Sequence, residues 1–96
     1  MTGGVTADPF VFRIEEVFRI SPQSTILVGT IVSGSALSLA PCDAELVVGP
    51  ESRGWIHLAA ERMPGPRSQG RRAVETSGPV PSVEELGRWP CLLIHR

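Results

Sequence analysis

The sequence predicts an all-β fold, a small antiparallel β-barrel of about six strands with one short helical turn near residues 82–88. Three observations support this prediction. Apolar residues alternate with other residues along 10–20, short β-branched runs recur along the chain, and turn-forming residues separate them. With 96 residues, the chain makes one domain with one modest core. We expect residues 1–8 to be a loose leader and residues 9–96 to form the barrel.

The first two strands carry the clearest pattern. In the segment 10–20, five of the six even-numbered residues are apolar, as expected for a strand with one face in a core. Because this segment is long for one strand, we predict a bend or a bulge near Glu15 and Glu16. Residues 25–32 are rich in β-branched residues and apolar on both faces, which predicts a central strand. Within it, Gly29 indicates a bulge or a close backbone contact.

Shorter strands and the helical turn follow. Residues 44–48 and 55–60 predict two short strands, and residues 91–94 predict a final buried strand. Ser82, followed three residues later by Glu85, matches the capping box that begins a helix. The chain therefore has enough predicted strands for a barrel.

The segment 62–81 is rich in Pro and Gly and is predicted to be an inserted long loop, with one short strand near 71–76. All nine basic residues of the chain are Arg, and four of them lie within residues 62–72. A guanidinium group binds phosphate or carboxylate with two hydrogen bonds. The candidate partner-binding arginines are therefore Arg62, Arg67, Arg71 and Arg72. The alternative interpretation is a solvated loop without a partner.

Two tryptophans complete the candidate partner-binding residues. Trp55 and Trp89 could anchor an interface or stack on a base. Filling the core is the alternative, and it suits at least one of them.

The sequence indicates no catalytic, cofactor or metal site. Cys42, His57, Cys91 and His95 could in principle form a thiol nucleophile or a zinc site, but no close Cys-x-x-Cys pair is present. Buried, reduced thiols are the favoured interpretation. Because the chain has no Lys, it lacks a Gly-rich phosphate loop with Lys, and no bound nucleotide is expected.

Charge and hydropathy exclude further classes. The formal net charge of −1 argues against a strongly basic nucleic-acid binder. No apolar run approaches the roughly 18 residues of a membrane span, and no secretory signal is visible. We therefore expect a cytoplasmic protein that has no contact with a membrane.

Residues 8–39 resemble the second domain of elongation factor Tu and related translational GTPases, a small β-barrel. The family pattern Phe-x-x-x-Ile-Glu-x-Val-Phe-x-Ile is matched along 10–20. The family's next strand, Thr followed by two hydrophobic residues, x-Gly-x and a further hydrophobic residue, is matched from Thr25 to Ile31, and its Gly turn by Gly34. The resemblance implies the barrel fold and an RNA contact. The segment 62–81 has no family counterpart and the last family strand is missing. The leader, the insert or a partner must then close the barrel, or one edge stays open.

Two functions are therefore expected. The first is a non-catalytic binding module, a stand-alone translation-factor-like barrel that docks on a protein partner or on a second copy. The alternative is an RNA-binding or ribosome-associated accessory protein that uses the four arginines of residues 62–72.

Overall fold

The structure is a computed structural model that describes residues 9–34, 38–62 and 70–96. The predicted leader and Arg67 lie outside the described residues. The elements, in chain order, are β1 (Phe10–Ser21), β2 (Ser24–Gly34), β3 (Cys42–Val48), β4 (Glu51–Arg62), β5 (Arg72–Thr76), α1 (Val83–Arg88) and β6 (Cys91–His95). The six strands form a closed antiparallel barrel in the order β1-β2-β5-β4-β3-β6. The predicted fold class is confirmed.

The barrel closes through a strand from the segment predicted as an insert. β5 pairs with β2 on one side and with β4 on the other. β6 pairs with β1 and with β3, so the ring is complete without a further strand. Among the alternatives that we expected for closing the barrel, the segment 62–81 supplies the strand, as β5.

A bulge interrupts β1 at the predicted place. Ile14 is opposite Gly29 and Glu16 is opposite Val28, so that Glu15 is an extra residue in β1. An extra residue moves all following side chains to the opposite face of the sheet.

The bulge corrects the predicted core face of β1. Phe12 and Ile14, before the bulge, are buried, and Val17, after it, packs against the core. Phe18 and Ile20 point outward, with 50% and 56% of their surface exposed. The expectation that all apolar even-numbered residues share one face is wrong, because the alternation changes phase at the bulge.

Gly29 is required by the close approach of β1 and β2. A Cβ atom built on Gly29 would lie 1.8 Å from the carbonyl oxygen of Arg13. The predicted close backbone contact is therefore present.

The helix α1 lies against β1 and has the predicted cap. The Ser82 side chain accepts a hydrogen bond from the Glu85 N–H, and the Glu85 carboxylate accepts one from the Ser82 N–H. Leu86 of α1 packs against the core. Among the described residues, no helix is long and apolar enough to cross a lipid bilayer.

Candidate functional site

Two of the predicted arginines pair with carboxylates of the barrel. Arg62, at the end of β4, donates to one oxygen of Glu75 from Nε at 2.9 Å and from Nη2 at 2.6 Å. Arg72, at the start of β5, binds both carboxylate oxygens of Glu61 at 2.7 and 2.9 Å. The charges of Arg62 and Arg72 are therefore neutralised by carboxylates across the β4–β5 pair.

A third predicted arginine joins the start of β5 to β1. The guanidinium of Arg71 contacts Glu16, and its Nε lies 3.2 Å from Oε1 of Glu15. Glu15 and Glu16 therefore both form ion pairs with Arg71. The structure does not bring the arginines of residues 62–72 together as an unneutralised basic patch, and Arg67 lies outside the described residues.

These pairs hold their carboxylates in the charged form. Partial burial opposes the ionisation of Glu61, but the hydrogen bonds from Arg72 and from the backbone N–H of Leu39, together with the charge of Arg72, outweigh it, and the pKa of Glu61 is lowered. Hydrogen bonds from Ser24 and from Arg62 lower the pKa of Glu75. Both ion pairs therefore persist at neutral pH.

Trp55 lies on the outer face of β4, and 59% of its surface is exposed. It borders a shallow groove of about 550 Å³ together with Pro41, Cys42, Asp43, His57, His95 and Arg96. Core filling is excluded for Trp55, so it stays a candidate contact residue.

Trp89 has a different environment. It is the C-cap residue of α1 and is 43% exposed. Its ring lies so close to Gly49 that a Cβ there would be 2.8 Å from the ring. Trp89 therefore has a packing role and also presents part of its ring to the surface.

The two histidines are both tied to Asp43. His57 Nδ1 lies 2.8 Å from the Asp43 carboxylate. His95 Nδ1 lies 2.8 Å from the backbone oxygen of Asp43, which can only accept, so this nitrogen carries a proton. His95 also stacks on Phe10, with ring centroids 5.5 Å apart. Both histidines are thus held against the strand surface.

The cysteines are buried free thiols. Burial, with the nearby charge of Asp43, raises the pKa of Cys42 to about 11, and burial with Glu85 raises the pKa of Cys91. Both thiols are protonated at neutral pH and are poor nucleophiles. In residues 9–34, 38–62 and 70–96, no three His, Cys, Asp or Glu side chains come together as a metal site.

The open edge of β1, residues 15–20, is a surface that sequence reasoning missed. β6 pairs with β1 only from Phe10 to Arg13, so within the described chain the open edge has β2 on one side and no strand on the other. The helix α1 contacts β1, and a groove of about 370 Å³ between the two is lined by Glu15, Glu16, Val17, Phe18, Val83, Leu86 and Gly87. The predicted bulge could have indicated this surface, because an extra residue at Glu15 reverses the alternation of side chains and turns Phe18 to the outer face.

The fold and this surface define a small closed β-barrel in which part of β1 has a strand on one side only. No known protein family, curated protein or solved structure matches the chain.

Proposed function

We propose that the chain is a non-catalytic binding module that docks on a protein partner through the open edge of β1. The unpaired edge beside α1 is the observation that carries the proposal. An extended segment of the partner can add to such an edge through backbone hydrogen bonds, while alternate side chains enter the adjoining groove. The protonated, buried thiols support a role without nucleophilic chemistry.

The side chains around the open edge suit such a segment. Phe18 and Ile20 project outward from it, and Val83 of α1, across the groove, is 79% exposed. Parts of β2 and β4 also have a strand on one side only among the described residues. The open edge differs because large apolar side chains lie both on the strand and on the facing helix.

The RNA-binding or ribosome-associated alternative has less support. It rests on the resemblance to the translational GTPase barrel and on the arginines of residues 62–72. Phosphate contacts would have to displace the carboxylates that already hold Arg62, Arg71 and Arg72. The proposal keeps the cytoplasmic location that we expect from the sequence.

The test selects short peptides from a random displayed library and maps their site by amide hydrogen exchange. We expect peptides with alternating apolar residues and slower exchange at the open edge of β1. Phe18→Ser should weaken binding about tenfold or more, because it removes an apolar contact. Trp55→Ser is the matched control, since it removes an aromatic ring of similar exposure from another surface.

Two results would overturn the proposal. One is protection in the Trp55 groove together with sensitivity to Trp55→Ser. The other is a failure to select any peptide, together with salt-dependent binding of single-stranded RNA that Arg71→Ala and Arg72→Ala abolish. That second result would establish the RNA alternative.

A further inference from the structure

A second groove continues the open edge of β1 at the point where β6 begins. It has a volume of about 490 Å³ and is lined by Arg13, Val32, Leu86, Gly87, Arg88, Trp89, Pro90 and Leu92. Leu86 and Gly87 also line the groove beside the open edge. The two grooves therefore form one surface along α1.

The second groove contains two arginines whose charge is not neutralised. Arg13 and Arg88 have no carboxylate partner among the described residues. The acidic residues at the neighbouring open edge, Glu15 and Glu16, are both engaged by Arg71. The end of the open edge thus offers positive charge to an incoming group.

For a segment that docks antiparallel to β1, the strand geometry gives the end that meets these arginines. β6 runs antiparallel to β1, and Arg13 lies opposite Leu92 near the start of β6. A segment added antiparallel to the open edge lies in line with β6 and runs in the same direction. Its carboxyl end reaches the first residue of β6, Cys91, where the position in the sheet is already occupied.

We infer that the docked segment is the extended C-terminal tail of a partner protein, whose terminal carboxylate is bound by Arg13 and Arg88. This inference rests on the proposed function. A segment that continued past this point would have to leave the sheet, whereas a chain terminus ends there without strain. Two guanidinium groups can donate hydrogen bonds to both oxygens of one carboxylate, and their positive charge more than offsets its single negative charge.

The lining of the second groove favours a peptide over a nucleic acid. Val32, Trp89 and Leu92 provide apolar surface beside the two arginines. A nucleic-acid backbone is bound by a succession of cations that neutralise successive phosphates. A single negative charge next to apolar side chains is what a peptide carboxyl terminus presents.

The experiment uses the full chain and a pool of short peptides with valine or isoleucine at alternate positions. The pool is made once with a free C-terminus and once amidated, and binding is measured by fluorescence anisotropy. We expect amidation to weaken binding about tenfold or more, because charge-assisted hydrogen bonds are lost. Arg13→Gln and Arg88→Gln should weaken binding of the free acid and remove its advantage over the amide.

Arg96→Gln is the matched control. The Arg96 side chain is 69% exposed, and it borders the Trp55 groove rather than the second groove or the groove beside the open edge. Its loss removes the same charge and should leave the difference between acid and amide unchanged. Circular dichroism checks that each variant is folded.

The outcomes separate this inference from the proposed function. Equal binding of acid and amide, with protection of the open edge by both, overturns the carboxylate site and leaves edge docking intact. An equal loss in Arg96→Gln also overturns the site, because general electrostatics would then explain the effect. Absence of protection by either pool contradicts both proposals.

Discussion

The bulge at Glu15 makes a quantitative prediction about two phenylalanines of one strand. Phe12 is fully buried, whereas Phe18 is 50% exposed. Replacing a buried Phe with Ala costs about 3–5 kcal/mol of unfolding free energy, which includes the cavity left behind. Half of an aromatic surface of about 200 Å², at about 25 cal/mol per Å², sets an upper limit near 2.5 kcal/mol for Phe18. Because Ala keeps some buried area and leaves no enclosed cavity, we expect about 1–2 kcal/mol for Phe18→Ala.

Urea unfolding measures the difference, with the fluorescence of Trp55 and Trp89 as the signal. Phe12→Ala should lower the midpoint much more than Phe18→Ala, with similar slopes for both variants. Ile14→Ala and Ile20→Ala provide the same comparison with a smaller side chain. Equal losses of unfolding free energy for the two phenylalanines would show that the side-chain alternation does not reverse at Glu15. They would also refute the exposed apolar surface of the open edge.

The remaining predictions concern backbone packing and acid stability. Gly29→Ala should destabilise the protein by more than about 4 kcal/mol in thermal unfolding, since its Cβ would lie 1.8 Å from a carbonyl oxygen. Gly87→Ala, in open space, should gain up to about 1 kcal/mol; an equal loss would contradict the clash. The folded-state pKa values of Glu61 and Glu75 lie below 4.5, so the stability that they contribute is present above that pH and is lost as the pH falls through the lowered values. Acid titration of Glu75→Gln should show a weaker loss, and an unchanged profile would contradict the pairing.

The parts of the fold that the sequence predicts well depend on local chemistry. The capping box of Ser82 and Glu85 involves residues three positions apart and forms as expected. Gly29 is conspicuous within a run rich in β-branched residues, because a glycine there indicates that a neighbouring backbone leaves no room for a side chain. The bulge was expected from strand length alone. Each of these signals acts within a few residues of its own position.

The candidate site could not be predicted in the same way, because it depends on pairing between distant strands. Arg71 and Arg72 are neutralised by carboxylates from β1 and β4, which come near only when the barrel closes. The open edge exists because β6 is five residues long and β1 is twelve. A mismatch of that kind follows from the register between β1 and β6, which the separate strand patterns do not specify.

Closure of the barrel explains where Arg62, Arg71 and Arg72 lie. β5 has five residues, and its pairing on both sides completes the barrel. Ion pairs at its start and near its end connect it to β1 and β4, through Arg71, Arg72 and Glu75. Exposed pairs contribute little energy individually, but carboxylates from two different strands favour one position of this short strand. The positions of Arg62, Arg71 and Arg72 are therefore explained by the barrel itself. Among the described residues, Arg13 and Arg88 lie without a carboxylate partner in the groove that continues the open edge, and a binding partner should be sought there.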